Sequence, residues 1–129
     1  DMGFKPPCAQ ESADIVRRIR EETAPYWRKQ FMTLADHPLV GEARTLGLFG
    51  ALELVPRKPS RQFFPERGTV GTRARDLCVQ NGLVMRAVWD TLITAPPLVI
   101  TRAEIDELVA KAHTTLDQLH AELRGASQV

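Results

Sequence analysis

The chain has 129 residues, enough for one domain with a modest core. Hydrophobic residues make up 43% and charged residues 26%, proportions of an ordinary globular protein and not of a disordered or collagenous one. Seventeen basic residues against sixteen acidic give a formal net charge of +1, which excludes the cationic footprint that nucleic acids require.

No apolar run reaches the roughly 18 residues of a transmembrane helix, and no signal-peptide pattern opens the chain. Neither membrane nor nucleic acid is therefore expected as a partner, and the expected compartment is the cytoplasm. Cys8 and Cys78 are far apart and make no metal-ligand spacing, so inert or buried thiols are expected.

Residues 1–11, with Gly3, Pro6 and Pro7, read as a flexible arm, and 12–129 as the folded domain. Ser12 is a candidate N-cap for a helix carrying Val16, Ile19, Thr23, Tyr26 or Trp27, Gln30 or Phe31, and Leu34 at helical spacing. Pro25 inside this run predicts a kink or break near Glu21 to Thr23. His37-Pro38 ends the helix, because the residue before proline is pushed out of helical geometry.

From Arg44 onward Leu46, Leu48, Leu52 and Leu54 share one parity, which predicts a half-buried strand with Glu53 on its other side. Gly47 and Gly50 mark a bulge or a close backbone approach. A loop rich in proline and arginine follows from Pro56 to Gly68, with Phe63-Phe64 expected to pin it to the body. Val70, Ala74, Leu77 and Cys78 form one helix face, stopped at Asn81-Gly82.

Leu83 to Arg86 and Thr91 to Thr94 read as two short strands joined around Trp89-Asp90. Pro96 and Pro97 bar the next residues from a central strand. Thr101 with Glu104 is a capping box. It opens a helix whose stripe runs through Ile105, Leu108, Val109, Ala112, Leu116, Leu119 and Leu123, ending at Arg124-Gly125. The predicted fold is α+β: a three- to four-stranded, mainly antiparallel sheet with helices on one face.

Among groups that could carry chemistry, His113, Asp117 and His120 read as an exposed helix face and His37 as a turn residue. No metal site is expected. Arg86 differs, because it closes an apolar run and needs an anionic partner. An internal pair with Asp90 or Glu53 would supply one, and so would a ligand carboxylate.

Two blocks of the chain resemble a known family. One is His37-Pro38-Leu39-Val40-Gly41-Glu42-Ala43-Arg44 with Gly47 to Leu54. The other runs from Gly82-Leu83-Val84-Met85-Arg86 through Trp89-Asp90 to Ala95-Pro96-Pro97-Leu98-Val99-Ile100-Thr101. Together they resemble the C-terminal small domain of class III (omega) aminotransferases, pyridoxal-phosphate (PLP) enzymes of the aspartate-aminotransferase-like fold.

The resemblance implies that Arg86 binds the substrate carboxylate and swings aside for substrates without one. It implies that Trp89, where relatives usually have glycine, reshapes the rim of the substrate site. Ile93 stands where ornithine- and GABA-type relatives carry an arginine, which points to the pyruvate/beta-alanine branch. Thr45 replaces a common glycine.

In this family the Schiff-base lysine, the aspartate at the pyridine nitrogen and the phosphate-binding loop belong to a large domain missing from these residues. Lys5, Lys29, Lys58 and Lys111 match none of those contexts. The resemblance thus implies PLP in the intact enzyme and none bound by this chain alone, with no catalytic or cofactor-binding residue here. The implied partners are the missing large PLP-binding domain, small amine and keto-acid substrates, and further copies in a homo-oligomer. The alternative is a non-catalytic α+β module that self-dimerises or binds a partner through an exposed apolar face.

Overall fold

The computed structural model describes residues 9–58 and 62–129. Helix α1 (Ala9–Arg18) passes into a π-helical turn, Ile19–Thr23, and then into α2 (Ala24–Phe31) and a 3-10 turn, Met32–Asp36. Ser12 therefore lies inside α1 and not at its cap; of the arm expected over residues 1–11, Ala9 to Glu11 belong to α1 and residues 1–8 fall outside the described residues. The disturbance expected from Pro25 is the π turn. Pro25 cannot donate to the carbonyl of Glu21, and the Ala24 N–H instead reaches Ile19 O, which widens the helix without breaking it. His37, extended at φ −69° and ψ 140°, ends the helical run before Pro38.

Where one strand was expected there is a hairpin, β1 (Val40–Leu46) and β2 (Phe49–Leu54), joined by Gly47 and Leu48. Gly47 at φ +57° occupies the first central position of this two-residue turn, the place where such hairpins demand glycine. Gly50 is the expected close approach: a Cβ there would stand 2.7 Å from the Phe31 ring.

Helix α3 (Thr69–Gln80) buries Val70, Ala74, Leu77 and Cys78 as expected. It ends in a paired stop, with the Gly82 N–H donating to Val79 O at 3.0 Å and the Leu83 N–H to Cys78 O at 2.8 Å. Strand β3 (Arg86–Val88) begins at Arg86 instead of ending there, and pairs with β4 (Thr91–Thr94). Helix α4 (Arg102–Gly125) has both bonds of the Thr101–Glu104 capping box. It ends at Gly125 as expected, but the left-handed residue beyond the end is Ser127 at φ +58°, with the Gln128 N–H donating to Leu123 O at 2.9 Å.

The sheet has four strands in the order β1-β2-β4-β3, all antiparallel. Register puts Ala43, Leu52, Leu92 and Ala87 in one row facing the helices. Against them pack Trp27, Phe31 and Leu34 before the sheet, Leu77 on α3, and Ile105, Leu116 and Leu119 on α4. Phe64 is buried and pins the 55–68 loop, whereas Phe63 is exposed.

His37 is buried and does more than turn the chain. Its Nδ1 accepts the Leu39 N–H at 3.1 Å, which leaves Nε2 to donate to Asp117 on α4 at 2.9 Å. His120 stands edge-on to the same ring at 5.8 Å, and Thr33 contacts His113 at 3.3 Å, so this side of α4 is partly covered.

Candidate functional site

The face of the sheet turned away from the helices carries two cross-strand rows. One is Arg44–Ala51–Ile93–Arg86; the next is Glu42–Glu53–Thr91, with Val88 opposite Thr91. Arg86 is exposed at the open edge of β3 and, among the described residues, has no hydrogen-bonding or ion-pair partner. Neither internal partner weighed from the sequence takes it. Glu53 faces Arg44, whose Nη1 lies 3.4 Å away and 2.9 Å from Glu42. Asp90 is turned inward, toward the start of α3.

Asp90 occupies the second position of the β3–β4 turn and is only 7% exposed. Its Oδ1 accepts the N–H of Gly71 at 2.8 Å and of Gly68 at 3.1 Å, while its carbonyl accepts the Leu54 N–H at 2.9 Å. Gly68 opens α3 at φ +93° without a side chain to cap the helix, so the carboxylate of Asp90 supplies that cap from across the sheet. Contact is closest at Gly71, where a Cβ would collide with the carbonyl of Trp89.

Trp89 holds the first turn position at φ +56° and is exposed. The Arg67 guanidinium lies between two rings, 4.2 Å from the centroid of Trp89 and 4.6 Å from that of Phe63. These groups, with Glu53, Val88 and Ile93, border a cavity of about 370 Å3 at one end of the open face. At the other end Ile19, Leu46, Phe49, Pro96 and Leu98 line an apolar groove of about 480 Å3.

Among the described residues, Lys29, Lys58 and Lys111 do not fit a cofactor site; Lys5 lies outside them. Lys58 donates to Ala35 O at 2.6 Å, Lys111 pairs with Glu107 at 3.0 Å and Lys29 is exposed on α2. None has the setting a Schiff-base lysine needs, so no step through the cofactor is assigned to this chain. Among the described residues no group of three His, Cys, Asp or Glu is placed to hold a metal, and no helix is long and apolar enough to cross a membrane. Cys78 is buried, and burial pushes its thiol above the ordinary value, away from nucleophilic use.

No protein-family model matches the chain. It is 52% identical over 107 residues to putrescine–pyruvate aminotransferase of Pseudomonas aeruginosa, covering 83% of this chain and 23% of that protein. It is 33% identical over 96 residues to gamma aminobutyrate transaminase 1, mitochondrial, of Solanum lycopersicum, covering 74% and 18%. Among solved structures, a transaminase with L-ala superposes with a TM-score of 0.81 at 35% identity, over 88% of this chain and 26% of that one. The sequence and the fold are those of the C-terminal small domain of an omega-aminotransferase.

This small domain spans about a quarter or less of the length of the relatives it matches. An omega transaminase from Pseudomonas jessenii in complex with PMP superposes with a TM-score of 0.76 at 29% identity, over 84% and 24% of the two chains. Arg86 and Trp89, singled out from the sequence, lie three residues apart on one hairpin but are not in contact through any bond described. Arg86 and Ile93 stand directly opposite each other, so the two positions deliver side chains to the same part of the open face. Sequence reasoning missed Asp90, Gly71 and Arg67. Asp90 had a signal in the Trp89-Asp90 turn, but nothing local to it names amides 19 and 22 residues upstream as its partners.

Proposed function

We propose that this chain is the C-terminal part of a PLP-dependent omega-aminotransferase, moving an amino group from an amine or omega-amino acid to a pyruvate-like keto acid. Residues 12–129 belong to its small domain, which works together with a large PLP-binding domain. The large domain supplies the Schiff-base lysine, so this chain alone does not transaminate. Its own contribution is Arg86, which binds the substrate carboxylate, and Trp89 on the wall of the site. The enzyme is a cytoplasmic homo-oligomer.

One observation carries the reading: an exposed arginine with no partner among the described residues, on the open sheet face beside a cavity. A guanidinium offers two parallel N–H donors to a carboxylate, each charge-assisted bond contributing roughly 1.5–3 kcal/mol. The relative that acts on putrescine and pyruvate supports this donor and acceptor pair, and the transaminase solved with PMP supports the cofactor.

The test is Arg86→Ala in the full-length enzyme carrying this segment, assayed with pyruvate and with an uncharged ketone. Loss of the carboxylate bonds lowers kcat/KM for pyruvate by roughly ten- to a hundredfold and spares the ketone. Equal effects on both acceptors would remove Arg86 from the carboxylate site.

A second reading, a non-catalytic association module, is favoured by the exposed apolar groove at Leu46, Phe49 and Leu98. It predicts a tight dimer of this chain that is indifferent to any large domain.

A further inference from the structure

Resting on the proposed role of Arg86, we infer that Asp90 is its positioning residue: by clamping the β3–β4 turn to the start of α3, it fixes the backbone from which the arginine extends. Strand β3 is only three residues long and has a single neighbour, β4, so its own ladder holds it weakly. Its far end is the Trp89–Asp90 turn, where bonds from outside the hairpin add to the pairing of β4 with β2. The Asp90 carboxylate takes the Gly71 amide of α3 at 2.8 Å and that of the N-cap Gly68 at 3.1 Å, and its carbonyl takes the Leu54 amide at the end of β2.

Gly71 completes the clamp from the other side. Only a residue without Cβ lets α3 approach the Trp89 carbonyl, so the turn is held at a distance that any larger residue would increase. The result is a division of labour within one hairpin. The turn is fastened by buried, charge-assisted bonds, while the Arg86 side chain, three residues before Trp89, stays free to engage or leave a ligand. The Asp90 carboxylate touches no substrate; it acts through Arg86.

The experiment has two arms. In the 129-residue chain, amide hydrogen exchange is compared for wild type, Asp90→Asn and Asp90→Ala. Asparagine keeps an oxygen that accepts both amides, so protection of the Gly71, Leu54 and β3–β4 ladder amides persists; with alanine it falls about tenfold. Ladder amides as protected in Asp90→Ala as in wild type would overturn the clamp, whatever Arg86 does.

In the full-length enzyme, Asp90→Ala and Gly71→Ala each raise KM for pyruvate about tenfold, leave kcat within about threefold, and leave KM for an uncharged ketone unchanged. Asp90→Asn stays near wild type. General destabilisation would instead affect both acceptors alike, and that result would overturn the positioning role. If Arg86→Ala itself fails to separate the two acceptors, the carboxylate reading falls while the exchange arm still judges the clamp. Should Asp90→Ala not fold, Asp90→Glu, which keeps the charge but changes the reach, is read by the same criteria.

Discussion

A tryptophan in the left-handed region is uncommon, because its Cβ crowds the next carbonyl at a cost of roughly 1–2 kcal/mol. Trp89 adopts that conformation at φ +56°, where Gly47 serves the corresponding turn of the first hairpin. The stacked Arg67 offsets only part of the strain, since an exposed cation–π contact contributes about 0.5–1 kcal/mol. Trp89→Gly and Trp89→Ala both delete the ring, but only glycine relieves the backbone. Urea unfolding should therefore find the glycine variant more stable by about 1 kcal/mol; equal midpoints would mean the turn is not strained. At this scale the close approach at Gly50 was legible, because a glycine within an alternating run has few other uses. The tertiary cap from Asp90 was not, since the amides it accepts belong to another element.

Among elements, α4 was legible whole: its stripe and capping box are local and it ends at Gly125, with Ser127 as the left-handed residue beyond. The first hairpin was hidden for a physical reason. Leu48, Leu52 and Leu54 share a parity and are buried, yet the two-residue turn exchanges the faces, so Leu46 shares that parity and is 80% exposed. Periodicity alone does not reveal such a reversal when a leucine, Leu48, occupies the turn.

The end of the first helical run is fastened by His37, and this contact has a pH signature. Burial holds the imidazole below its ordinary 6.5, opposed by the hydrogen bond and charge of Asp117; the charges of His120 and His113 push the same way as burial. Because the folded state takes up its proton less readily than the unfolded chain, stability is complete above about 6.5 and declines as pH falls below it. His37→Asn keeps an acceptor for the Leu39 amide but does not titrate. The wild-type-minus-variant difference in unfolding free energy should therefore fall below that pH, and a flat difference would show that His37 titrates alike in both states. The partnership with Asp117 was not legible because the residues are 80 positions apart.

For the whole molecule, the two faces of the sheet have different occupants. One is packed by α2, α3 and α4 around Leu52 and Leu92; the other presents an arginine row flanked by a cavity and an apolar groove. That asymmetry, in a chain that covers about a quarter or less of its relatives, is what a domain completed by another surface would have. The α+β class and the antiparallel sheet were legible from element order. Which face stays open depends on register, which emerges only once the strands pair.

The most direct measurement mixes this chain with a separately produced PLP-binding large domain and follows transfer of the amino group from a diamine to pyruvate. The account predicts activity in the mixture and in neither component alone. Turnover by this chain on its own, or a mixture no more active than the large domain alone, would contradict it.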